Sequence, residues 1–268
     1  MRRLKLILAY DGTPFHGFQR QDNAVTVQEV LETALGRAAD HPVTLVPAGR
    51  TDTGVHAAAQ VVHCDISGGI PTERIAKAVN SMLPPDVVVY EVVEAAADFH
   101  ARYDALSKVY RYSILLSDFA WPFIRRYVFH HPPNLDVQAM IWAAHLFKGE
   151  KEFAAFQAAG STVQDTRRHL MRVDVQQQKM DWGRLVHFEF EGNGFLYHMV
   201  RIIIGTLLEV GRGRRSLAAV ESLFETGDRT AAGPTAEASG LTLLQVKYAD
   251  QSAAGEAASK TGPKRRRT

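Results

Sequence analysis

At 268 residues with 46% apolar content, the chain suits one large domain or two of ordinary size, each with a packed core. Its only cysteine, Cys64, rules out intrachain disulfides and thiolate zinc clusters, and its eleven histidines include no HExxH or similar metal spacing, so no metal is expected. A tail charge of +3 over residues 250–268, set against +2 for the whole chain, leaves −1 for residues 1–249, so any nucleic-acid surface must come from local clusters.

The chain opens with MRRLKLILAY, a basic start and a short apolar run. Asp11 and Gly12 follow at once without a small-residue cleavage site, so a secretory signal is not expected. No apolar stretch approaches the roughly 20 residues that span a bilayer, which makes the cytoplasm the expected location. Leu4 to Tyr10 is a predicted strand. TVQE at 26–29 is a capping box, and the spacing of Val27, Val30, Leu31, Ala34, Leu35 and Ala38 predicts a helix with one apolar stripe. Val43–Val46 and Gln60–Cys64 are predicted strands. PTERIAKAVNSML predicts a helix with Ile75, Val79 and Met82 on one face, and Val87–Val93 a further strand. The order is β-α-β-β-α-β.

A second run repeats it. A strand is predicted over Val109–Leu115, a helix opening at Asp136, strands at Leu170–Val175 and Leu185–Phe190, and an apolar helix from about Phe195 to Val210. A helix over Ser216–Glu225 and a last strand over Leu241–Tyr248 complete it. The expected fold is α+β, two tandem ferredoxin-like units with a cleft between them: residues 1–103, then 104–249. Residues 250–268 are expected to form a disordered basic tail that touches RNA or only solubilises.

Three stretches could carry chemistry. In AGRTDTGVHA, residues 48–57, Asp52 stands among glycines and hydroxyls; an Asx-turn and a catalytic carboxylate both fit. Arg50 nearby would hold a carboxylate ionised or meet a phosphate. In GNGFLYHMVRIIIGTLLEVG, Arg201 interrupts an apolar helix, and Glu209 is two turns away, too far to pair. Its counterion should therefore come from elsewhere, with Asp52 a candidate; a head group in water at the helix edge is the alternative. In ARYDALSKVYRY, period two puts Lys108, Tyr110 and Tyr112 on one strand face near Arg102 and Arg111, fit for stacking a base or for ordinary cross-strand packing. Arg125, Arg126, Arg167, Arg168, Arg212, Arg214 and Arg215 are basic points that would form a phosphate track if they ringed one cleft.

Together with AYDGTPFHGFQRQ, TVQEVLETAL, NSMLPPDV and SGLTL, these stretches resemble the tRNA pseudouridine synthase A family over nearly all of residues 1–249. The resemblance implies two ferredoxin-like domains around a basic cleft, a homodimer, and isomerisation of uridine to pseudouridine at tRNA positions 38 to 40 without cofactor or metal. By motif, it makes Asp52 the nucleophile, Arg201 its paired arginine, Tyr110 the contact to the target base, Arg50 a neighbour of the site and of phosphate, and Leu241 an apolar wall of the base pocket. It leaves His56 between loop-ordering and direct chemistry, and the intermediate between a covalent adduct and a glycal. Ala238, Ser239 and Thr242 depart from the family's usual prolines and aromatic, and Phe18 replaces a frequent Trp. An RNA-binding module with a vestigial motif, or the same chemistry on other RNA positions, are the competing expectations.

Overall fold

The computed structural model describes residues 1–249; the basic tail lies outside the described residues. The first unit is β1 (Arg2–Tyr10), α1 (Val27–Ala39), β2 (Val46–Pro47), β3 (His56–Ile66), α2 (Thr72–Asn80) and β4 (Val87–Glu94). The second is β5 (Ala105–Leu116), β6 (Phe129–His131), α3 (Val137–His145), β7 (Gly149–Glu152), β8 (Arg167–Met180), β9 (Gly183–Gly192), α4 (Met199–Gly211), α5 (Leu217–Thr226) and β10 (Leu241–Tyr248). Strands run β4-β1-β3-β10-β5-β9-β8-β7 across one sheet, with β2 on β3 and β6 on β5. Within each unit the order is the antiparallel one of a ferredoxin-like fold. The seam is parallel and short: Thr242 and Leu243 of β10 face His56 and Ala57 of β3.

Register carries one face straight across that seam. Directly opposed residues share a face, so Tyr10, Ala57, Leu243, Tyr110, Phe190 and Val173 form a single row through five strand pairings, and all six are buried. The matching row on the other face contains Arg111, Glu189 and Asp174. Arg111 Nη2 lies 2.5 Å from Glu189 Oε1, Arg172 bonds Asp174, and Lys247 Nζ donates to Glu191 Oε1 at 2.8 Å. One side is therefore the hydrophobic core and the other an ion-pair ladder.

Local signals account for most helix starts. Thr26 accepts from Glu29 N, Asp136 from Ala139 N and Ser216 from Ala219 N, each an oxygen cap on an otherwise orphaned donor. Several expectations need correction. Val43 to Leu45 is not strand: the Glu32 carboxylate takes the Leu45 amide, and only Val46–Pro47 pairs with β3. Met82 does not share the buried face of Ile75 and Val79; α2 stops at Asn80, whose side chain bonds both Val89 N and Val89 O, and Met82 is exposed. The fourth helix begins at Met199, not near Phe195, because His198 has φ 58° and breaks the helical path. Its buried residues surround the axis, as expected of a helix inside a core.

Candidate active site

The loop between β2 and β3, residues 48–55, is tied down by bonds to the elements around it. Phe18 N donates to Thr51 O at 3.0 Å, Val55 N to Asp52 O at 3.1 Å, and Ala48 N to Val61 O at 2.8 Å. Tyr10 and Thr51 share a hydroxyl–hydroxyl bond of 2.8 Å, and Gln60 donates to Gly49 O at 2.9 Å. Gly12 is required: a Cβ there would collide with the Val55 carbonyl. These bonds tie the loop on both sides of Asp52 and restrict where its carboxylate can lie.

Arg201 reaches the same place from α4. Its Nη1 donates to Asp52 Oδ2 at 3.3 Å and its Nε to the Ala236 carbonyl at 2.7 Å, while Ala236 N donates back to Arg201 O at 3.1 Å. The expected counterion of Arg201 is thus Asp52, 149 residues away in sequence; Glu209 instead binds Arg215. His198 Nε2 stands 3.4 Å from the same Oδ2. Burial, together with the Arg201 and Arg229 charges, lowers the His198 imidazole below the ordinary histidine value against the pull of Asp52.

Tyr110 lies near the carboxylate. It is 8% exposed, packs edge-on against Phe195 with ring centroids 4.9 Å apart, and burial beside Tyr10 and Asp52 raises its phenol well above the usual tyrosine range. A neutral, oriented ring next to a carboxylate suits stacking on a base. One strand period away, burial and the Arg102 charge push the Lys108 ammonium down to about 8. A Cβ on Gly49 would come within 3.2 Å of Lys108 Nζ, so the amine lies against the Asp52 loop.

Other expected residues fall less directly on the centre. Leu241 is buried opposite Tyr112 at the head of β10, on the Tyr110 face. Ala238 abuts Gly54, and Tyr112 OH donates to Glu237 O at 2.9 Å, so the segment before β10 closes on the loop through small residues. Arg50 is exposed, with no ion pair among the described residues. Some of the basic points are partly neutralised: Arg126 by Asp11 at 3.6 Å, Arg167 by Glu150 at 3.5 Å and Arg215 by Glu209 at 2.7 Å.

His56 faces away from Asp52, on the opposite side of β3 from Ala57. Its Nδ1 accepts from Gly12 N at 3.0 Å, and its ring lies 5.0 Å from Tyr127, whose hydroxyl donates to Asp11. This geometry fits loop-ordering. His198, by contrast, carries no distinguishing signal in the sequence: HMVR places it one helical turn before Arg201, and in the fold, with φ 58°, its Nε2 comes to 3.4 Å from Asp52 Oδ2.

Among the described residues no group of three or more His, Cys, Asp or Glu is placed to hold a metal, and no helix is long and apolar enough to cross a membrane. A family model described as tRNA pseudouridine synthase matches residues 6–104 and 143–249. The tRNA pseudouridine synthase A of Acetivibrio thermocellus is 43% identical over 248 residues, covering 92% of this chain and 100% of that protein. The protein of the same name from Geobacillus kaustophilus is 44% identical over 251 residues, covering 93% and 96%. A chain in the crystal structure of a Cbf5–Nop10–Gar1 complex overlaps 90% of this chain and 48% of its own at 12% identity, with a TM-score of 0.37. From the family model and these full-length relatives, the chain belongs to the tRNA pseudouridine synthase family.

Proposed function

We propose that the protein isomerises uridine to pseudouridine in the anticodon arm of tRNA, at positions 38 to 40, with Asp52 as nucleophile and without cofactor. The observation that carries this reading is the Asp52–Arg201 pair at 3.3 Å, a carboxylate and a guanidinium brought together from the two units, with the Tyr110 phenol near enough to feel the Asp52 charge. Names borne by full-length relatives support the tRNA substrate.

The chemistry asks for such an arrangement. The N1–C1′ bond of uridine must break, the uracil must turn, and C5 must bond to C1′, with the C5 proton lost and a proton gained at N1. Asp52 attacks C1′ directly or assists a glycal; either path needs a carboxylate of fixed aim, which Arg201 supplies by its bond to Oδ2 and its second anchor on Ala236 O. Tyr110 holds the detached uracil by stacking while it turns. The target nucleotide leaves its stem at a cost of a few kcal/mol, offset by stacking and phosphate contacts. Arg50 contributes to those contacts and Leu241 walls the base pocket. The working form is a cytoplasmic homodimer.

The purified protein incubated with unmodified tRNA should produce pseudouridine at positions 38 to 40 on base-resolution mapping. Binding of anticodon arms without pseudouridine would favour a vestigial binding module, and pseudouridine elsewhere would assign another specificity.

A further inference from the structure

Two non-glycine residues among those described have positive φ, Asp40 and His198, both at 58°. Asp40 is accounted for locally: it ends α1 in a left-handed C-cap with its amide on Gly36 O. His198 is not. It occupies the N-cap of α4, where an extended backbone and a short oxygen side chain serve best, yet its side chain caps nothing. A left-handed residue that does no local work points to a function elsewhere. The ring lies against Tyr197, with centroids 3.9 Å apart, and its Nε2 comes to 3.4 Å from Asp52 Oδ2. Arg201 meets that same oxygen, while Asp52 Oδ1 takes no side-chain donor among the described residues.

Resting on the isomerase reading above, we propose that His198 is a positioning residue: its neutral imidazole offers Nε2–H to Asp52 Oδ2, so that with Arg201 it pins one carboxylate oxygen and leaves Oδ1 free to face C1′. The present separation is long for a hydrogen bond, as catalytic contacts often are before substrate closes them. The charged groups facing the ring are Asp52 from the loop, Arg201 from α4 and Arg229 from the segment after α5; Tyr197 is its stacked neighbour. Burial and the two guanidiniums oppose protonation, and Asp52 alone favours it, which keeps the ring a neutral donor at neutral pH.

The test combines three variants with two readouts. His198→Gly suits the left-handed backbone, so its Tm should equal or exceed wild type while single-turnover pseudouridine formation falls about tenfold with tRNA Kd unchanged. His198→Gln carries an amide nitrogen where Nε2 lies and should keep the rate within about threefold of wild type. In the full-length protein, NMR titration of the His198 imidazole should give a midpoint below the ordinary histidine value, and Asp52→Asn should move it lower still by removing the one anion that favours the imidazolium. Wild-type turnover in His198→Gly, a lowered Tm accompanying its rate loss, or an unmoved titration in Asp52→Asn would each overturn the proposal. The underlying reading fails separately, by absent wild-type turnover or by full turnover in Asp52→Asn.

Discussion

The two units share a plan and differ most in their second strand. In the C-terminal unit that strand is β8, fourteen residues long and paired with β9 from Leu170 to Met180. In the N-terminal unit it is β2, two residues long, and the chain beyond it leaves the sheet to become the Asp52 loop. The edge of β3 so vacated is taken by β10 at Thr242 and Leu243. What the first unit gives up in pairing becomes a loop at the seam, and the second unit supplies Arg201 and Tyr110 to it. Ionic side chains follow the same division. The ladder around Glu189 and Glu191 lies on the face away from the helices, its members paired with one another, whereas the Asp52–Arg201 pair joins a loop of the first unit to a helix of the second.

That contrast can be broken or sharpened by substitution. Among the partners of Asp52, the largest effect should come from Arg201→Ala, which removes both the Asp52 contact and the Ala236 anchor. A kcat loss of about 10²- to 10³-fold is expected in single-turnover assays with tRNA binding nearly intact. Arg201→Lys should not rescue it, since an ammonium lacks the planar fork that serves two acceptors at once. Arg172→Ala in the ladder should leave kcat unchanged; the reverse ranking would abolish the distinction between the two ionic clusters.

Next in size, Gly12→Ala should cost about 2–4 kcal/mol in urea unfolding, because the new methyl meets the Val55 carbonyl behind the Asp52 loop. Gly69→Ala, with nothing within 4 Å, should stay within about 0.5 kcal/mol. Smaller still, Lys108→Met should weaken tRNA binding by about tenfold or less and reduce the salt slope by roughly one. Wild-type binding should weaken from pH 7 to pH 9 as the ammonium, held down to about 8, loses its proton, and Lys108→Met should lack that component.

The smallest effect concerns acid. Hydrogen bonds from Lys247, then Ser107 and Arg172, keep the Glu191 carboxyl below its ordinary value despite burial. A carboxylate whose folded value is lowered contributes stability that is present above the unfolded value and lost as pH falls through the folded one. The urea midpoint should therefore drop on acidification below the ordinary glutamate range, and less steeply in Glu191→Gln.

Much of this architecture is legible in the sequence where the signal is local. Thr26, Asp136 and Ser216 mark helix starts because one side-chain oxygen caps an amide three residues on. Alternation in KVYRY gives the shared face of Lys108, Tyr110 and Tyr112 for the same reason. Where the deciding partner is remote, the sequence is silent or misleading. Val43 to Leu45 has strand composition, yet the Glu32 carboxylate takes its Leu45 amide. Strands β6 and β7, three and four residues long, are too short to show a period. Arg201 announces a missing counterion without naming it, and no spacing rule connects residues 149 apart. His198 is hidden for a further reason: nothing in HMVR says that its φ will be positive.

The central claim, that Asp52 carries the chemistry and not the binding, is tested most directly by measuring tritium release from [5-³H]uridine-labelled tRNA and tRNA affinity on the same samples of wild type and Asp52→Asn. In Asp52→Asn, release should be abolished and affinity retained. Release at the wild-type rate from that variant would contradict the claim.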